Sequence, residues 1–359
     1  MEATILKIFL PTAVAFIVGI LITPFITHYL YKYKVWKKQT GKTALDGSIA
    51  VEFERLRNEG ETRAGTETKT PRMGGIVIWG SVILTVFVLY LIHVLWPSTF
   101  LADLDFFSRS QTWIPITTML IGAAIGFIND YYDISHKGEE GIRLRTRIVL
   151  ITILSLLIGW WFYDRLDVTS ISIPFDGVLN LGIFIIPFFI FMTIAIYASG
   201  VIDGIDGLSG GVFVSIFAAY AGVAYMQSQY DLAALSGTIA GATLAFLWFN
   251  IPPARFWMTE TGTMALTLTL SVIVFMTDTL GEGNGISLLF IIGFPLVITV
   301  LLNVAQILSK RFLGRKIIRI APLHHHFEAI GWPSYKVTMR YWVISIMCAI
   351  IGLMIAAIA

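Results

Sequence analysis

Long apolar runs alternate with short polar stretches along the whole of this 359-residue chain. A helix needs about 20 residues to cross the hydrocarbon core of a bilayer, and ten of the runs approach or reach that length. We therefore predict an all-α integral membrane protein of about ten transmembrane helices, folded as a single polytopic domain over residues 1–359. The predicted spans are 6–30, 74–96, 112–128, 148–164, 179–199, 209–227, 232–249, 262–280, 286–309 and 339–358.

The composition supports a membrane protein over a soluble one. Only 13% of the residues are charged, against about 25% in a typical soluble domain. The first apolar run is too long for a signal peptide and is followed directly by Lys32 and Lys34, a stop-transfer pattern. No run shows the two-residue alternation of a membrane β-barrel strand. No basic cluster alternates with stacking aromatic residues, so we expect no nucleic-acid partner.

Basic residues fix the expected orientation in the membrane. Of the 25 lysine and arginine residues, 22 lie in or beside alternate polar segments, and only Lys7, Arg109 and Arg165 lie on the opposite side. Lysine and arginine are enriched in cytoplasmic loops. With an even number of spans, both termini are then predicted outside. The cytoplasmic loops are predicted at 32–72, 129–147, 200–208, 250–261 and 310–338.

Two of these loops carry acids beside helix ends. Asp130 and Asp133 are three residues apart, so on a helix they would share a face at the membrane surface. They could hold a divalent cation or serve as a solvated cap. Asp203 and Asp206 lie among five glycines directly before an apolar run. Glycines and a helix N-terminus suit a phosphate, and carboxylates near a phosphate imply Mg²⁺. The alternative is a glycine-rich hinge with capping aspartates.

Two further inner loops add an acid and three histidines. Glu260 begins the eighth predicted span, where the helix dipole favours an acid whatever its role. His324, His325 and His326 are consecutive. One helix cannot direct three consecutive side chains at one ion, so a zinc site has only weak support. Imidazoles could instead contact phosphate or donate protons, and the basic residues at 315–319 favour phosphate. Together the inner loops suit divalent-metal phosphoryl transfer.

Five segments give the chain a family resemblance. They are Thr70-Pro71-Arg72-Met73-Gly74-Gly75, Gly126-Phe127-Ile128-Asn129-Asp130-Tyr131, Asp203-Gly204-Ile205-Asp206-Gly207-Leu208, Phe246-Leu247-Trp248-Phe249-Asn250 and Ala321-Pro322-Leu323-His324-His325-His326-Phe327-Glu328. In this order they resemble the phospho-N-acetylmuramoyl-pentapeptide transferase family, within the polyprenyl-phosphate hexose-1-phosphate transferase superfamily. The acidic segments are shared across that superfamily, whereas the histidine segment is specific to this branch.

The resemblance implies a reaction and a cellular location. The phosphate of undecaprenyl phosphate attacks the sugar-linked phosphate of UDP-N-acetylmuramoyl-pentapeptide, UMP leaves, and lipid I forms for peptidoglycan synthesis. It implies Mg²⁺ as cofactor and a multi-pass protein of the bacterial inner membrane whose active site faces the cytoplasm. A homodimer is common in this family and is one expected state.

The resemblance also assigns roles to particular residues. The expected catalytic residues are Asn129, Asp130, Asp203, Asp206, His324, His325 and His326. The expected metal ligands are Glu260, Asp130 and Asp203. The expected substrate-binding residues are Lys69, Arg147, Asn250, Trp257 and Gln306.

The chain departs from the family pattern at several of these positions. Asn129 replaces an aspartate often proposed as a base, and asparagine cannot act as one. Met258-Thr259-Glu260 stands where the family has Met-Gly-Asp, and Arg147 replaces a lysine. These departures leave two alternatives open: a related transferase that uses another UDP-sugar, such as UDP-N-acetylglucosamine, or a catalytically impaired paralogue that binds nucleotide or lipid.

Overall fold

The computed structural model describes residues 2–37, 68–135 and 141–359. Parts of two predicted cytoplasmic loops, 38–67 and 136–140, lie outside the described residues. The described residues form twelve α-helices: α1 (Glu2–Lys32), α2 (Ile76–Leu95), α3 (Trp113–Ser135), α4 (Leu144–Arg165), α5 (Ile185–Ala198), α6 (Leu208–Met226), α7 (Tyr230–Asn250), α8 (Thr259–Met276), α9 (Gly285–Ile292), α10 (Phe294–Leu313), α11 (Leu323–Ala329) and α12 (Ser334–Ile358).

The predicted all-α membrane architecture is confirmed. Ten helical segments in the described ranges are long and apolar enough to cross a bilayer, and each corresponds to one predicted span. The fifth of them joins α5 to flanking 3₁₀ turns and runs from Gly182 to Ile202. The short helices α9 and α11 are the two that fall outside this set.

Two predicted spans differ most from the observed helices. The third span was expected to end at 128, but α3 continues to Ser135, so Asp130 and Asp133 lie on a helix. The ninth was expected to run unbroken over 286–309, but it divides at Gly293 into α9 and α10. Pro295 at the start of α10 explains the break, because proline lacks the N–H that a continuous helix requires.

A small β-hairpin was not predicted at all. Strand β1 (Ser170–Ile173) pairs antiparallel with β2 (Gly177–Asn180), with Ser170 opposite Asn180. It lies between α4 and α5 in a predicted outer loop. Four-residue strands carry too little periodicity to be recognised from sequence.

The helix α8 forms the centre of the fold. Of its 18 residues 94% are buried, whereas only 22% of the best span window is buried in α4, α10 and α12. Glycines allow α3 to approach it closely: a Cβ added at Gly122 or Gly126 would meet the backbone of Met264 or Glu260. The acids at the end of α3 are therefore held against the start of α8.

The predicted inner loops meet one another at one end of the bundle. The N–H of Arg72 donates to the carbonyl of Val35 at 2.7 Å, and the N–H of Trp257 donates to that of Pro71 at 2.9 Å. From the far end of the chain, the hydroxyl of Thr338 donates to the carbonyl of Asp206 at 3.1 Å. Their assignment to the cytoplasm rests on the charge pattern and stays a prediction.

Candidate functional site

Asp130 is completely buried near the end of α3. Its Oδ2 accepts three hydrogen bonds: from the hydroxyl of Thr259 at 2.5 Å, and from the N–H and hydroxyl of Thr261 at 2.8 and 2.6 Å. Its Oδ1 has no hydrogen-bond partner among the described residues. A buried carboxylate oxygen without a partner is costly unless a cation compensates it. The Nη2 of Arg72 lies 3.9 Å from this oxygen, too far for a hydrogen bond, so the atom can still bind a cation.

Asp203 reaches the same point from the loop between α5 and α6. Its Oδ2 accepts the N–H of Thr259 at 2.8 Å, and its Oδ1 accepts the hydroxyl of Ser209 at 2.9 Å. Two carboxylates from distant parts of the chain thus bind the same threonine. The first N–H groups of a helix have no intrahelical acceptor, and the helix dipole favours acids there. The start of α8 consequently gathers both carboxylates.

Thr259 has an unusual backbone conformation for its residue type. Its φ is 52°, a left-handed value that is a genuine outlier for a β-branched residue. The family pattern has glycine here, which adopts this conformation without strain. In this chain the threonine hydroxyl offsets the strain by donating to Asp130 and accepting the N–H of Met73 at 3.1 Å.

Arg72 connects the two acids of α3. Its Nη2 lies 3.0 Å from Oδ2 of Asp133 and 3.9 Å from Oδ1 of Asp130. Lys37 lies 3.2 Å from the other oxygen of Asp133. The two acids do share a helical face, as their spacing predicts, and that face contacts two cations.

A second ion pair joins Arg147 at the start of α4 to Glu260 at the start of α8. The Nη1 of Arg147 donates to Oε1 of Glu260 at 2.5 Å, and Oε2 lies 3.4 Å from the hydroxyl of Thr263. The side chains are 19% and 28% exposed, respectively. Because Thr259 and Thr261 on either side of Glu260 bind Asp130, this pair borders the carboxylate cluster.

Asp206 holds the segment between α7 and α8 in place. Its carboxylate accepts the indole N–H of Trp257 at 3.1 Å and the N–H of Ala254 at 3.0 Å. Asn250 ties the same two regions, accepting the N–H of Gly207 at 2.9 Å and donating to the carbonyl of Phe256 at 2.8 Å. These residues fix the position of Trp257 relative to the aspartate loop.

Two of the three histidines contact the aspartate loop. The rings of His324 and His325 lie 4.4 Å apart. A Cβ added at Gly204 would overlap the Nε2 atoms of both, so only glycine permits this approach. His325 is oriented by Glu328, whose Oε2 lies 2.7 Å from its Nδ1 and whose Oε1 accepts the hydroxyl of Ser334 at 2.5 Å.

The third histidine, His326, contacts the basic segment before it. Its Nδ1 accepts the N–H of Arg319 at 3.3 Å. Gln306, buried on α10, binds the backbone of the same segment: its Oε1 accepts the N–H groups of Ile317 and Ile318 at 2.8 and 3.1 Å. Gln306 and His326 therefore support the loop between α10 and α11.

Asn129 directly precedes Asp130 on α3, and Lys69 precedes the segment that contains Arg72. Asn129 is buried, and its Oδ1 accepts the N–H of Ile142 at 2.9 Å. This hydrogen bond holds the segment that leads into α4, and it occupies the amide oxygen of Asn129. Lys69 is exposed directly before Thr70.

The carboxylates fit a magnesium ion that is completed by substrate. The described residues contain no group of three His, Cys, Asp or Glu side chains able to hold a metal alone. Mg²⁺, however, is commonly bound by one or two carboxylates together with substrate phosphate oxygens. Asp130 and Asp203 meet at Thr259, and Oδ1 of Asp130 is buried without a hydrogen-bond partner in the described ranges.

A purely structural role explains less of this geometry. Capping the start of α8 accounts for Oδ2 of Asp130 and Oδ2 of Asp203. It does not account for the buried Oδ1 of Asp130. A side chain with a single acceptor would cap the helix without burying a second oxygen.

Sequence reasoning missed several residues of this cluster. Arg72 lies within a family segment but has no role assigned from the sequence, and Thr259 is only part of a departure from the family pattern. Glu328 is the last residue of the histidine segment and has no role assigned from the sequence. No spacing rule connects Arg72 to Asp130, which lies 58 positions later in the chain. Glu328, in contrast, lies three residues after His325, a spacing that places two side chains on one face of a helix.

Known proteins resemble the chain over almost its full length. Residues 112–278, from α3 to α8, match the family described as glycosyl transferase family 4. The chain is 30% identical over 352 residues to the phospho-N-acetylmuramoyl-pentapeptide-transferase of Anoxybacillus flavithermus, covering 97% of this chain and 98% of the relative. It is 31% identical over 304 residues to the enzyme of that name from a Geobacillus species, covering 84% and 88%. The Clostridium novyi enzyme of that name is 30% identical over 342 residues, covering 94% of each.

Proposed function

Since the chain belongs to the phospho-N-acetylmuramoyl-pentapeptide transferase family, we propose that it makes lipid I. In this reaction a phosphate oxygen of undecaprenyl phosphate attacks the sugar-linked phosphorus of UDP-N-acetylmuramoyl-pentapeptide. The diphosphate bond breaks, and UMP takes the bonding electron pair as it leaves. The reaction takes place at the cytoplasmic face of the bacterial inner membrane, where a soluble donor meets a lipid-held acceptor.

The observation that carries this proposal is the meeting of Asp130 and Asp203 on Thr259. Both carboxylates bind one residue at the N-terminus of a buried helix, and an oxygen of Asp130 has no hydrogen-bond partner in the described structure. Phosphoryl transfer depends mainly on positioning and on neutralising phosphate charge. A rigid site of this kind supplies both.

Mg²⁺ is the proposed cofactor, held by Asp130 and Asp203, with Glu260 as a third ligand. When bound, the ion neutralises phosphate charge and stabilises the leaving oxygen. The protein itself supplies two aspartates that are fixed before substrate arrives. Three hydrogen bonds to Asp130 and two to Asp203 hold those carboxylates in place.

The remaining site residues bind and orient the donor. Arg147 is the cation nearest the carboxylates on the α4 side and suits a phosphate, since its planar group can donate two parallel hydrogen bonds. Trp257 and Asn250 are buried, at 2% and 0% exposure, and are fixed through Asp206 and Gly207, so they position the segment before α8 beside the donor. His324, His325 and His326 contact phosphate or donate a proton, with Lys69 at the rim and Gln306 supporting the loop.

Asn129 is compatible with this chemistry, although it cannot remove a proton. A lipid phosphate is already ionised at neutral pH, so its oxygen can attack without a base. Asn129 then acts by positioning the segment before Arg147 through its bond to Ile142. This is why we favour an active enzyme over an impaired paralogue.

UMP release tests the proposal directly. The purified full chain, given undecaprenyl phosphate, UDP-N-acetylmuramoyl-pentapeptide and Mg²⁺, should release UMP and form lipid I. Asp130→Asn should lower turnover by at least about 100-fold, which is the effect of losing one electrostatic contact to the transition state. Asp231→Asn is the matched control, because Asp231 pairs with Lys7 at the opposite end of the bundle.

Two results would contradict the proposal. Wild-type protein that releases no UMP in either Mg²⁺ or Mn²⁺ would exclude the transferase activity. Preferential turnover of UDP-N-acetylglucosamine in a competition assay would retain the reaction type but change the donor.

A further inference from the structure

Two departures from the family pattern contact each other in the structure. Arg147 stands in place of a lysine and Glu260 in place of an aspartate, and the two are separated by 113 positions in the sequence. Each change lengthens or broadens a side chain. The longer carboxylate reaches the guanidinium, whose planar fork matches it better than an ammonium group would.

Their contact affects what Glu260 can do. Oε1 of Glu260 receives a charge-assisted hydrogen bond from Arg147, and Oε2 has a long contact with Thr263. A cation that binds this carboxylate must first compete with the guanidinium. Asp130 and Asp203 are held differently, through hydrogen bonds from hydroxyl and backbone N–H groups.

Arg147 also has capacity for another anion. Its Nε is buried and has no hydrogen-bond partner among the described residues. The side chain is partly exposed, at 19%, on the border of the carboxylate cluster. An incoming diphosphate offers more negative charge than one carboxylate and can accept two parallel hydrogen bonds from an arginine.

From this geometry we propose that Arg147 gates Glu260. Without donor, the guanidinium holds the carboxylate and keeps it from the divalent cation. The diphosphate of the donor draws Arg147 away, and Glu260 then becomes a ligand for the cation. This inference rests on the proposed function for the identity of the donor. It makes nucleotide and cation binding cooperative, each raising the affinity of the other by the same factor.

A double-mutant cycle on Mn²⁺ affinity tests the gate without measuring turnover. Mn²⁺ binding to the purified full chain is followed by electron paramagnetic resonance, first without nucleotide. R147Q should bind Mn²⁺ roughly tenfold more tightly than wild type, because the cation no longer has to break one charge-assisted hydrogen bond. E260Q and R147Q/E260Q should both match wild type, because the gain requires the released carboxylate.

Adding UDP supplies the second half of the test. UDP should raise the Mn²⁺ affinity of both proteins, and the factor should be roughly tenfold larger for wild type than for R147Q. In R147Q the carboxylate is already released, so UDP cannot release it again. If R147Q does not yield folded protein, R147K serves instead: it should show a smaller gain that disappears in R147K/E260Q.

Several outcomes would overturn the gate. Mn²⁺ affinity that is unchanged or weaker in R147Q would exclude competition between Arg147 and the cation. A gain that persists in R147Q/E260Q would show that Glu260 is not the group released. UMP release by wild type separates these failures from a failure of the proposed function, since an active enzyme lacking the cycle refutes only the gate.

Discussion

Thr259 donates its hydroxyl to Oδ2 of Asp130 at 2.5 Å from a backbone conformation that its side chain disfavours. A non-glycine residue in a sparsely populated conformation costs about 1–3 kcal/mol, and a hydrogen bond to a charged group returns about 1.5–3 kcal/mol. The two contributions nearly offset each other. Threonine is therefore tolerated where the family has glycine because its hydroxyl holds the buried carboxylate.

Substitutions at Thr259 should separate these two effects. Thr259→Val keeps the strain and removes the hydroxyl, so we expect it to lower the free energy of unfolding by about 2 kcal/mol and turnover by about tenfold. Thr259→Ser is the matched control, because it keeps the hydroxyl, and it should remain within about threefold of wild-type turnover. Thermal unfolding in detergent and UMP release provide the two measurements. Equal behaviour of the valine and serine variants would contradict a role for the hydroxyl.

Asn129→Asp tests whether the chain lacks an essential base. A carboxylate can still accept the N–H of Ile142, so the variant should fold. Because the lipid phosphate is already ionised, we expect kcat to change by less than about threefold, whereas a true general base contributes about 100-fold or more. Wild-type turnover near zero that rises about 100-fold in the variant would instead favour the impaired paralogue.

Trp257→Phe should weaken donor binding more than turnover. The change removes the indole bond to Asp206 and loosens the segment before α8. We expect KM for the UDP-linked donor to rise about fivefold with kcat nearly unchanged, which is the effect of losing roughly one net hydrogen bond. Trp248→Phe, at an exposed position on α7, is the control and should leave both constants unchanged. A fall in kcat alone would place Trp257 in the chemical step.

Asp278, at the opposite end of the bundle, should make stability depend on pH. Burial raises the pKa of Asp278 to about 6, although N–H groups of Ile286 and Ser172 donate to its carboxylate and act in the other direction. An aspartate in the unfolded chain has a pKa of about 3.9, so folding favours the protonated form. Its stabilising contribution is complete below pH 4 and is lost as the pH rises through 6.

The shift corresponds to at most about 3 kcal/mol. As the pH rises from 4 to 7, the melting temperature of wild type should therefore fall relative to that of Asp278→Asn. Asp176→Asn is an exposed change at the tip of the β1–β2 hairpin, whose Ser172 donates to Asp278, and it should show no such trend. Parallel pH profiles for wild type and Asp278→Asn would contradict the burial argument.

The sequence by itself determined the ten spans and the segments that form the site. Spans follow from the length of apolar runs, because lipid requires each crossing helix to satisfy its own backbone. The charge pattern selected one set of alternate loops, and the motifs selected Asp130, Asp203 and Asp206 within it. These features depend on residues that are close together in the chain, so they can be predicted from the sequence.

Only the tertiary structure decided which side chains meet. The bonds of Thr259 to Asp130 and of Arg147 to Glu260 join residues more than one hundred positions apart. They arise because glycines on α3 bring that helix against α8, and because the start of α8 offers N–H groups that attract carboxylates. The hairpin after α4 likewise depends on contacts with a distant segment, since Ser172 donates its N–H to Asp278. Distance along the chain carries no information about such contacts, which is why the pairing of Arg147 with Glu260 became visible only in the folded protein.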